Sequence, residues 1–321
     1  MQQRTIQPRA VPPGPAAAVD LHAGYRSTDT DTDPRALIRF LDTVYDDPSM
    51  QAYKLHMRQL LALRPGETVL EVGCGAGQDL IRDAGQVGPG GRVIGVDAKA
   101  SMVAEAQRRV LAGSGPTDRA AALAPPVGAV PIHRVISCHL GDARSLPLAD
   151  ATVDACRVDR VLMYVSTPER ALAEMVRVLR PGGRLVAMEL DYGAMLIDHP
   201  DTRTTERVLA ALRAAIPNEL LGRGLRRILG DFGLSDITVT PHGIELAHDL
   251  FRQLIEPTLA SAVAAGQLPR SRTRRWLAEM TSSHRAGRFY GTFIGMVAFA
   301  RKPCAIVSSA GESPALVTPH R

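Results

Sequence analysis

Three glycines and two acids carry the first chemical information in this chain. Gly73, Gly75 and Gly77 stand two residues apart within Thr68 to Asp79, TVLEVGCGAGQD. Thr68, Val69, Leu70 and Val72 are apolar or β-branched, interrupted only by Glu71, the pattern of a strand buried on both faces of a parallel sheet. Glycines directly after such a strand make a tight turn whose backbone can approach a ligand, where a side chain would block it. The spacing narrows the choice of ligand. A dinucleotide turn reads G-x-G-x-x-G, whereas this one reads G-x-G-x-G with Glu71 two positions before it, and it lacks the Lys-Ser/Thr ending of a phosphate loop. The second acid, Asp97, closes the run Arg92-Val93-Ile94-Gly95-Val96. A carboxylate at the end of a second strand can accept hydrogen bonds from both ribose hydroxyls of a nucleoside lying across the strand ends.

These residues need a sheet and its helices to hold them. Asp33 reads as an N-cap with Pro34 at the first helical position, followed by Leu37, Ile38, Leu41 and Val44 at helical spacing. A second helix begins after Asp47-Pro48 and ends before Arg64-Pro65-Gly66. Behind the glycine turn a helix over 78 to 85 leads to the second strand, 92 to 97. Residues 113 to 131, rich in Gly, Pro and Ala, read as a flexible insertion before a third strand at Arg134 to Leu140. A fourth strand ends at Arg157. A helix then runs to Arg180, Pro181 cannot continue it, Gly182 and Gly183 make the turn, and Arg184 to Glu189 enter the sheet. Helices over 202 to 216 and 219 to 232, a strand after Gly233, helices over 248 to 265 and 270 to 285, and a strand over 289 to 301 complete the pattern. The alternation predicts an α/β fold: a doubly wound, seven-stranded, mostly parallel sheet with its ligand at the carboxyl ends of strands 1 and 2.

At these residues the chain resembles the class I S-adenosylmethionine (SAM) dependent methyltransferases, above all the ubiquinone/menaquinone biosynthesis-type enzymes and related small-molecule methyltransferases. Glu71 to Gly77 matches that family's motif I, E/D-x-G-x-G-x-G, and its E-x-x-R-V-L-R-P-G-G element stands complete as Glu174 to Gly183. The resemblance covers residues 65 to 191. It implies a Rossmann-like core with a helical lid, SAM as cofactor and S-adenosylhomocysteine (SAH) as product. It implies that the turn at Gly73, Cys74, Gly75 and Gly77 faces the methionine part of SAM, with Glu71 ordering the turn. Asp97 then takes the ribose, and Ala98 and Met102 flank the adenine. In Gly141-Asp142-Ala143 the aspartate takes the adenine amino group and the following N–H reaches the ring. Arg157 is expected either to meet the SAM carboxylate or a substrate, or to form a local ion pair.

Many relatives in that family carry a His pair after strand 4, where this chain has Met163-Tyr164, so no His base carries over there. The segment Asp191 to Pro200 is expected to lie over the transferred methyl group, which makes Tyr192 and His199 candidate bases, with Tyr164 a third. Asp198 could instead cap the helix that starts near Thr202. A base is helpful rather than obligatory, because a sulfonium methyl is already activated and the protein must mainly align the nucleophile and exclude water. Neither N/D-P-P-Y/F nor a nucleophilic Pro-Cys follows strand 4, which argues against methylation of nucleic acid. The resulting expectation is transfer of a methyl group to an O, N or C nucleophile of a small molecule in secondary metabolism. Two other readings stay open: a SAM-retaining enzyme that catalyses a cyclisation, and a non-catalytic SAM-binding module.

Composition adds limits. The 38 basic and 33 acidic residues give a charge of +5 that is spread along the chain, which does not imply nucleic acid. The run Arg270, Arg272, Arg274, Arg275, Arg285 and Arg288 reads first as a solvated helix face and second as a cradle for an anionic substrate. Four cysteines without C-x-x-C spacing suggest no metal site and a reducing, cytoplasmic setting, and no run approaches the ~18 apolar residues of a membrane helix. The expected partner is a small molecule, not nucleic acid or membrane, with a homodimer left open. The expected organisation is a disordered arm (1–33), N-terminal lid helices (34–64), a SAM-binding core (65–191), the rest of the sheet with helical lid insertions (192–302) and a disordered tail (303–321).

Overall fold

The computed structural model describes residues 33–113 and 131–304. The expectations for the arm, for the 113–131 insertion and for the tail fall almost wholly outside those residues. The strands are β1 (Thr68–Val72), β2 (Arg92–Asp97), β3 (Ile136–Leu140), β4 (Val153–Asp159), β5 (Leu179–Ile197), β6 (Ser235–Ile244) and β7 (Gly291–Arg301). They form one sheet in the order β3-β2-β1-β4-β5-β7-β6, and β7 alone runs against its neighbours. The chain starts at the centre, winds outward to β3 and returns beside β1 as β4, which puts the topological switch point between β1 and β4.

Both faces of the sheet are covered. Along β1, Val69 packs into the apolar cluster on one face, while Leu70 and Val72 pack into the cluster on the other. The face that matters for the site carries α1 (Pro34–Tyr45), α2 (Pro48–Leu61), α3 (Leu80–Val87), α4 (Ala100–Ala112), and later α6 (Thr202–Ala214), α8 (His248–Ala264) and α9 (Arg270–Arg285). The opposite face carries α5 (Pro168–Val178) and α7 (Leu221–Asp231). Asp33 caps α1 by accepting from Arg35 N–H at 3.0 Å, and Asp47 caps α2 from Ser49 N–H at 2.9 Å, as their positions before Pro34 and Pro48 suggest.

Two boundaries differ from the sequence reading. Helix α5 stops at Val178, and Leu179 is already extended and paired with Val153, because the residues leading into Pro181 are driven out of the helical region. The Lys302 ammonium covers that helix end by donating to the carbonyls of Val176 at 2.7 Å and Leu179 at 2.8 Å. Strand β5 also runs on to Ile197, with a register shift against β7 between Asp191 and Leu196, so most of the segment read as a pocket loop is strand. The arginines of α9 and its flanks are all exposed. Among the described residues no helix is long and apolar enough to cross a membrane.

Candidate active site

A cavity of about 430 Å³ runs along the carboxyl ends of the parallel strands. β1 supplies Val72, β2 Asp97, β4 Asp159, β5 Leu190 and β6 Ile244, and antiparallel β7 reaches the same edge with Phe293 near its start. The glycine turn forms one wall. Gly73 and Cys74 donate their N–H groups to the Val96 carbonyl at 2.7 and 3.1 Å, which pins the turn to the end of β2. Gly73 has φ +71°, and a Cβ there would sit 2.2 Å from Val161 Cγ2. Only glycine fits. Gly77 also has positive φ, but it does not line the cavity: a Cβ there would meet Ala106 of α4 at 3.1 Å, so its role is close helix packing.

Asp97 ties the turn and the second strand together. Its Oδ2 accepts from Gly75 N–H at 2.8 Å and its Oδ1 from Lys99 N–H at 2.9 Å. A carboxylate accepts about four hydrogen bonds, so Asp97 can order the turn and also receive hydroxyl donors. Ala98, Met102, Gly141 and Ala143 lie along the cavity beside it. Asp142 lines the cavity too, but Arg144 grips both its oxygens, the closest contact being 2.6 Å, and holds its carboxyl below the usual range.

Beneath the turn is a buried network of charge. Arg157 does not line the cavity; it sits under the floor, 2.8 Å from Glu71, 3.1 Å from Asp83 and 3.9 Å from Asp79. The local ion pair is therefore what the structure builds at Arg157. Lys54 of α2 bridges Asp79 at 2.6 Å and Asp159 at 2.7 Å, and all three line the cavity. Burial alone would lower the Lys54 ammonium, but Asp159 and Asp79 hold it well above its ordinary value. Burial likewise would raise Asp79, yet Lys54 and Arg157 keep it ionised and well below the carboxylate range. For Glu71 burial wins, pushing its carboxyl up to about 8 despite Arg157. Tyr45 and Tyr53 hydroxyls donate to Asp79 and Asp159 at 3.1 and 3.2 Å, which fixes both carboxylates further.

The loop after β4 is shaped by Glu189. This fully buried carboxyl on β5 accepts from the N–H groups of Val161, Leu162 and Met163 at 3.1, 2.7 and 3.2 Å. Burial raises it to about 8, with those three donors pulling the other way. The Val161 side chain held there is the one that fills the space over Gly73. Tyr164, at the end of the same turn, lines the cavity.

The remaining wall is apolar. Leu37, Phe40, Leu41 and Val44 of α1 recur at i, i+3, i+4 and i+7 and all face the cavity. Asp42 anchors that helix through a two-pronged pair with Arg109 of α4, both contacts at 2.8 Å, and accepts from Gln78 at 3.0 Å. Ile244 and Phe293, direct partners across β6 and β7, line the cavity as well, with Leu246 and with Leu254 of α8. Tyr192 lines the cavity and its ring meets Phe293 edge-on at 5.8 Å. His199 is not brought to the cavity. It is buried against Trp276, ring centroids 5.0 Å apart, and its Nδ1 accepts from Asp201 N–H at 3.0 Å. The cap of α6 is Asp201, which accepts from Thr204 N–H at 3.0 Å, and not Asp198.

Sequence reasoning missed Lys54, Asp79 and Glu189. Lys54 had a signal: in a chain whose cations are otherwise arginine, the only lysines are Lys54, Lys99 and Lys302. Glu189 had one too, a carboxylate inside an apolar strand.

Residues 70–187 match the model of the family described as methyltransferase domain. An uncharacterized 37.1 kDa protein in transposon TN4556 of Streptomyces fradiae is 36% identical over 262 residues, covering 79% of this chain and 68% of that protein. A demethylmenaquinone methyltransferase of Symbiobacterium thermophilum is 36% identical over 126 residues, covering 39% of this chain and 43% of that enzyme. Less than half of the named enzyme's length is thus matched. Among solved structures, a phosphoethanolamine N-methyltransferase of Haemonchus contortus in complex with SAM superposes with TM-score 0.53 at 13% identity, covering 89% of this chain and 61% of that one. That likeness is one of fold.

Proposed function

We propose that the chain is a SAM-dependent methyltransferase, a reading supported by the methyltransferase-domain match over residues 70–187 and by the likeness to a demethylmenaquinone methyltransferase, and that it moves a methyl group from SAM to an oxygen, nitrogen or carbon nucleophile of a small molecule. The observation that carries the reading is that one cavity gathers the Gly73–Gly75 backbone, Asp97 and the buried Lys54–Asp79–Asp159 set, which are the polar partners a nucleoside bearing an amino acid would need. The fit is chemical and steric. At Gly75 a Cβ would meet nothing nearer than Gln78 Oε1 at 3.9 Å, so the turn leaves open space beside the Asp97 carboxylate. Asp97 would hold the ribose hydroxyls, and Ala98, Met102 and Ala143 would bracket the purine ring. Asp142 would take the purine amino group once Arg144 gives way, an exchange that costs little for a pair about half exposed to water. Lys54, with Asp79 and Asp159, would face the charged amino acid end.

When bound, SAM supplies a methyl group on a sulfonium: the acceptor's lone pair forms the new bond to carbon as the carbon–sulfur bond breaks, and its electrons return to sulfur, leaving SAH. The chain's own residues align and enclose. Glu189 sets the loop after β4, α1 closes one side, and the apolar wall excludes water, which raises the rate of such a displacement by positioning. Tyr192 and Tyr164 are the candidate proton acceptors that stand in the cavity, and His199 has no place in that role. The reading extends to a small-molecule enzyme of secondary metabolism in the cytoplasm, where four free cysteines are at home.

Asp97→Ala is expected to weaken SAH binding, measured by calorimetry, by about 1–3 kcal/mol. Unchanged affinity would remove Asp97 from the site. Incubation with methyl-tritiated SAM and a panel of phenols, amines and enolisable ketones should carry label into an extractable product. Product formed without label would replace methyl transfer by a reaction in which SAM is only held.

A further inference from the structure

We propose that the acceptor is a neutral, hydrocarbon-rich small molecule, bound over the β5–β7–β6 side of the cavity; the inference rests on the SAM reading above. The strand order separates two kinds of lining. The charged groups come from the β3-β2-β1-β4 side, the loops that follow those strands, and Lys54 of α2 above them. On the other side, β5, β7 and β6 contribute Leu190, Tyr192, Phe293 and Ile244, and the chain beyond β6 adds Leu246 and Leu254. No charged side chain from this side lines the cavity among the described residues.

The potential sources of charge on that side are all turned elsewhere. Asp191, between Leu190 and Tyr192, points away and is gripped by Arg223 at 2.6 and 2.8 Å. The arginines of α9, which could have cradled an anion, are exposed and none lines the cavity. His242 pairs with His56 at 2.9 Å, outside the cavity. An anionic acceptor there would therefore have to shed its hydration against Leu, Ile and Phe side chains, while the lining cation just past β4, Arg160, is already engaged with Asp159 at 3.3 Å, a large penalty. An apolar acceptor gains from the same surface. The α1 stripe adds apolar lining to the same cavity, and Phe40, Phe293 and Tyr192 provide ring faces and edges for a flat ligand.

The test uses the full chain saturated with SAH and the neutral fluorophore N-phenyl-1-naphthylamine, with 1-naphthol and 1-naphthyl phosphate as matched neutral and anionic competitors. The fluorophore is expected to bind, and 1-naphthol to displace it at least about tenfold more effectively than the phosphate. Leu254→Lys and Leu41→Lys, at half-buried positions that line the cavity, should each weaken fluorophore binding about tenfold or more while SAH affinity stays within about twofold, and Leu254→Met should bind as the parent does. Melting curves and SAH titration establish that each variant is folded. Equal displacement by the phosphate, or unweakened binding in both lysine variants, would overturn the proposal. A chain that binds no SAH would instead overturn the cofactor reading, and the naphthyl pair, measured without SAH, still decides the class of acceptor.

Discussion

One half of the cavity is made of backbone and charge, and the other of apolar volume. Over β1 and β2 the lining depends on a glycine with no room for a Cβ, on two backbone N–H groups received by Asp97 and on carboxylates held by Lys54. Over β5, β7 and β6 it depends on leucine, isoleucine and aromatic side chains brought together from residues as far apart as Leu190 and Phe293. The first half needs particular residue types because φ above zero, hydrogen-bond direction and buried charge admit few alternatives. The second needs size and apolarity, which many sequences satisfy. A fold can therefore keep one ligand while the other changes.

Lys54→Met should have the largest effect, about 3–5 kcal/mol of stability by urea denaturation, because Asp79 and Asp159 would keep their charges with the nearest partner gone. A loss under about 1 kcal/mol would show that Arg58 and Arg160 suffice to hold those carboxylates. Gly73→Ala comes next. The left-handed backbone and the clash with Val161 together should cost about 2–4 kcal/mol, read as lost SAH affinity, while N-phenyl-1-naphthylamine binding on the apolar side changes much less. Parallel loss of both ligands would mean that the halves are one coupled unit.

A third test concerns pH. Burial raises the folded-state carboxyls of Glu71 and Glu189 to about 8 and that of Asp83 to about 6. A raised carboxyl keeps its proton in the folded chain where the unfolded chain has lost it, so the stability linked to these groups is full below the unfolded value and falls as pH rises toward about 8. Asp79 has the opposite sign, but its contribution changes only at lower, acidic pH. Denaturation at pH about 5 and about 8 should show the decline, and Glu189→Gln should shrink it by about 2 kcal/mol. An identical slope in the variant would exclude Glu189 as a source. The smallest effect on function is expected from His199→Ala. It should lower the melting temperature through lost packing on Trp276, with SAH affinity and turnover per folded molecule unchanged. Reduced kcat in a fully folded variant would return His199 to the reaction.

The strands of the sheet and the glycine turn were legible in the sequence because apolar runs, glycine spacing and Pro-Gly-Gly punctuation are local signals. The same is true of Asp97, which sits where a strand must end. Gly77 and Arg157 share the motif's neighbourhood but serve the packing of α4 and the charges beneath the turn, a distinction that depends on which way each side chain points. His199 was read as a candidate because it follows β5, yet the strand runs on past the cavity edge to Ile197 and carries it to Trp276. Lys54 gave a compositional hint without an address: the ammonium's three donors suit a bridge between two carboxylates, but those lie 25 and 105 residues away in the chain.

By itself the sequence determined the backbone half of this protein, since glycine conformations and strand-end acids are written where they act. Only the tertiary structure decided the apolar half. Leu37, Phe293, Ile244 and Leu254 are ordinary core residues until the antiparallel entry of β7 and the return of α8 place them around one cavity, and long-range packing leaves no local mark by which to read that beforehand.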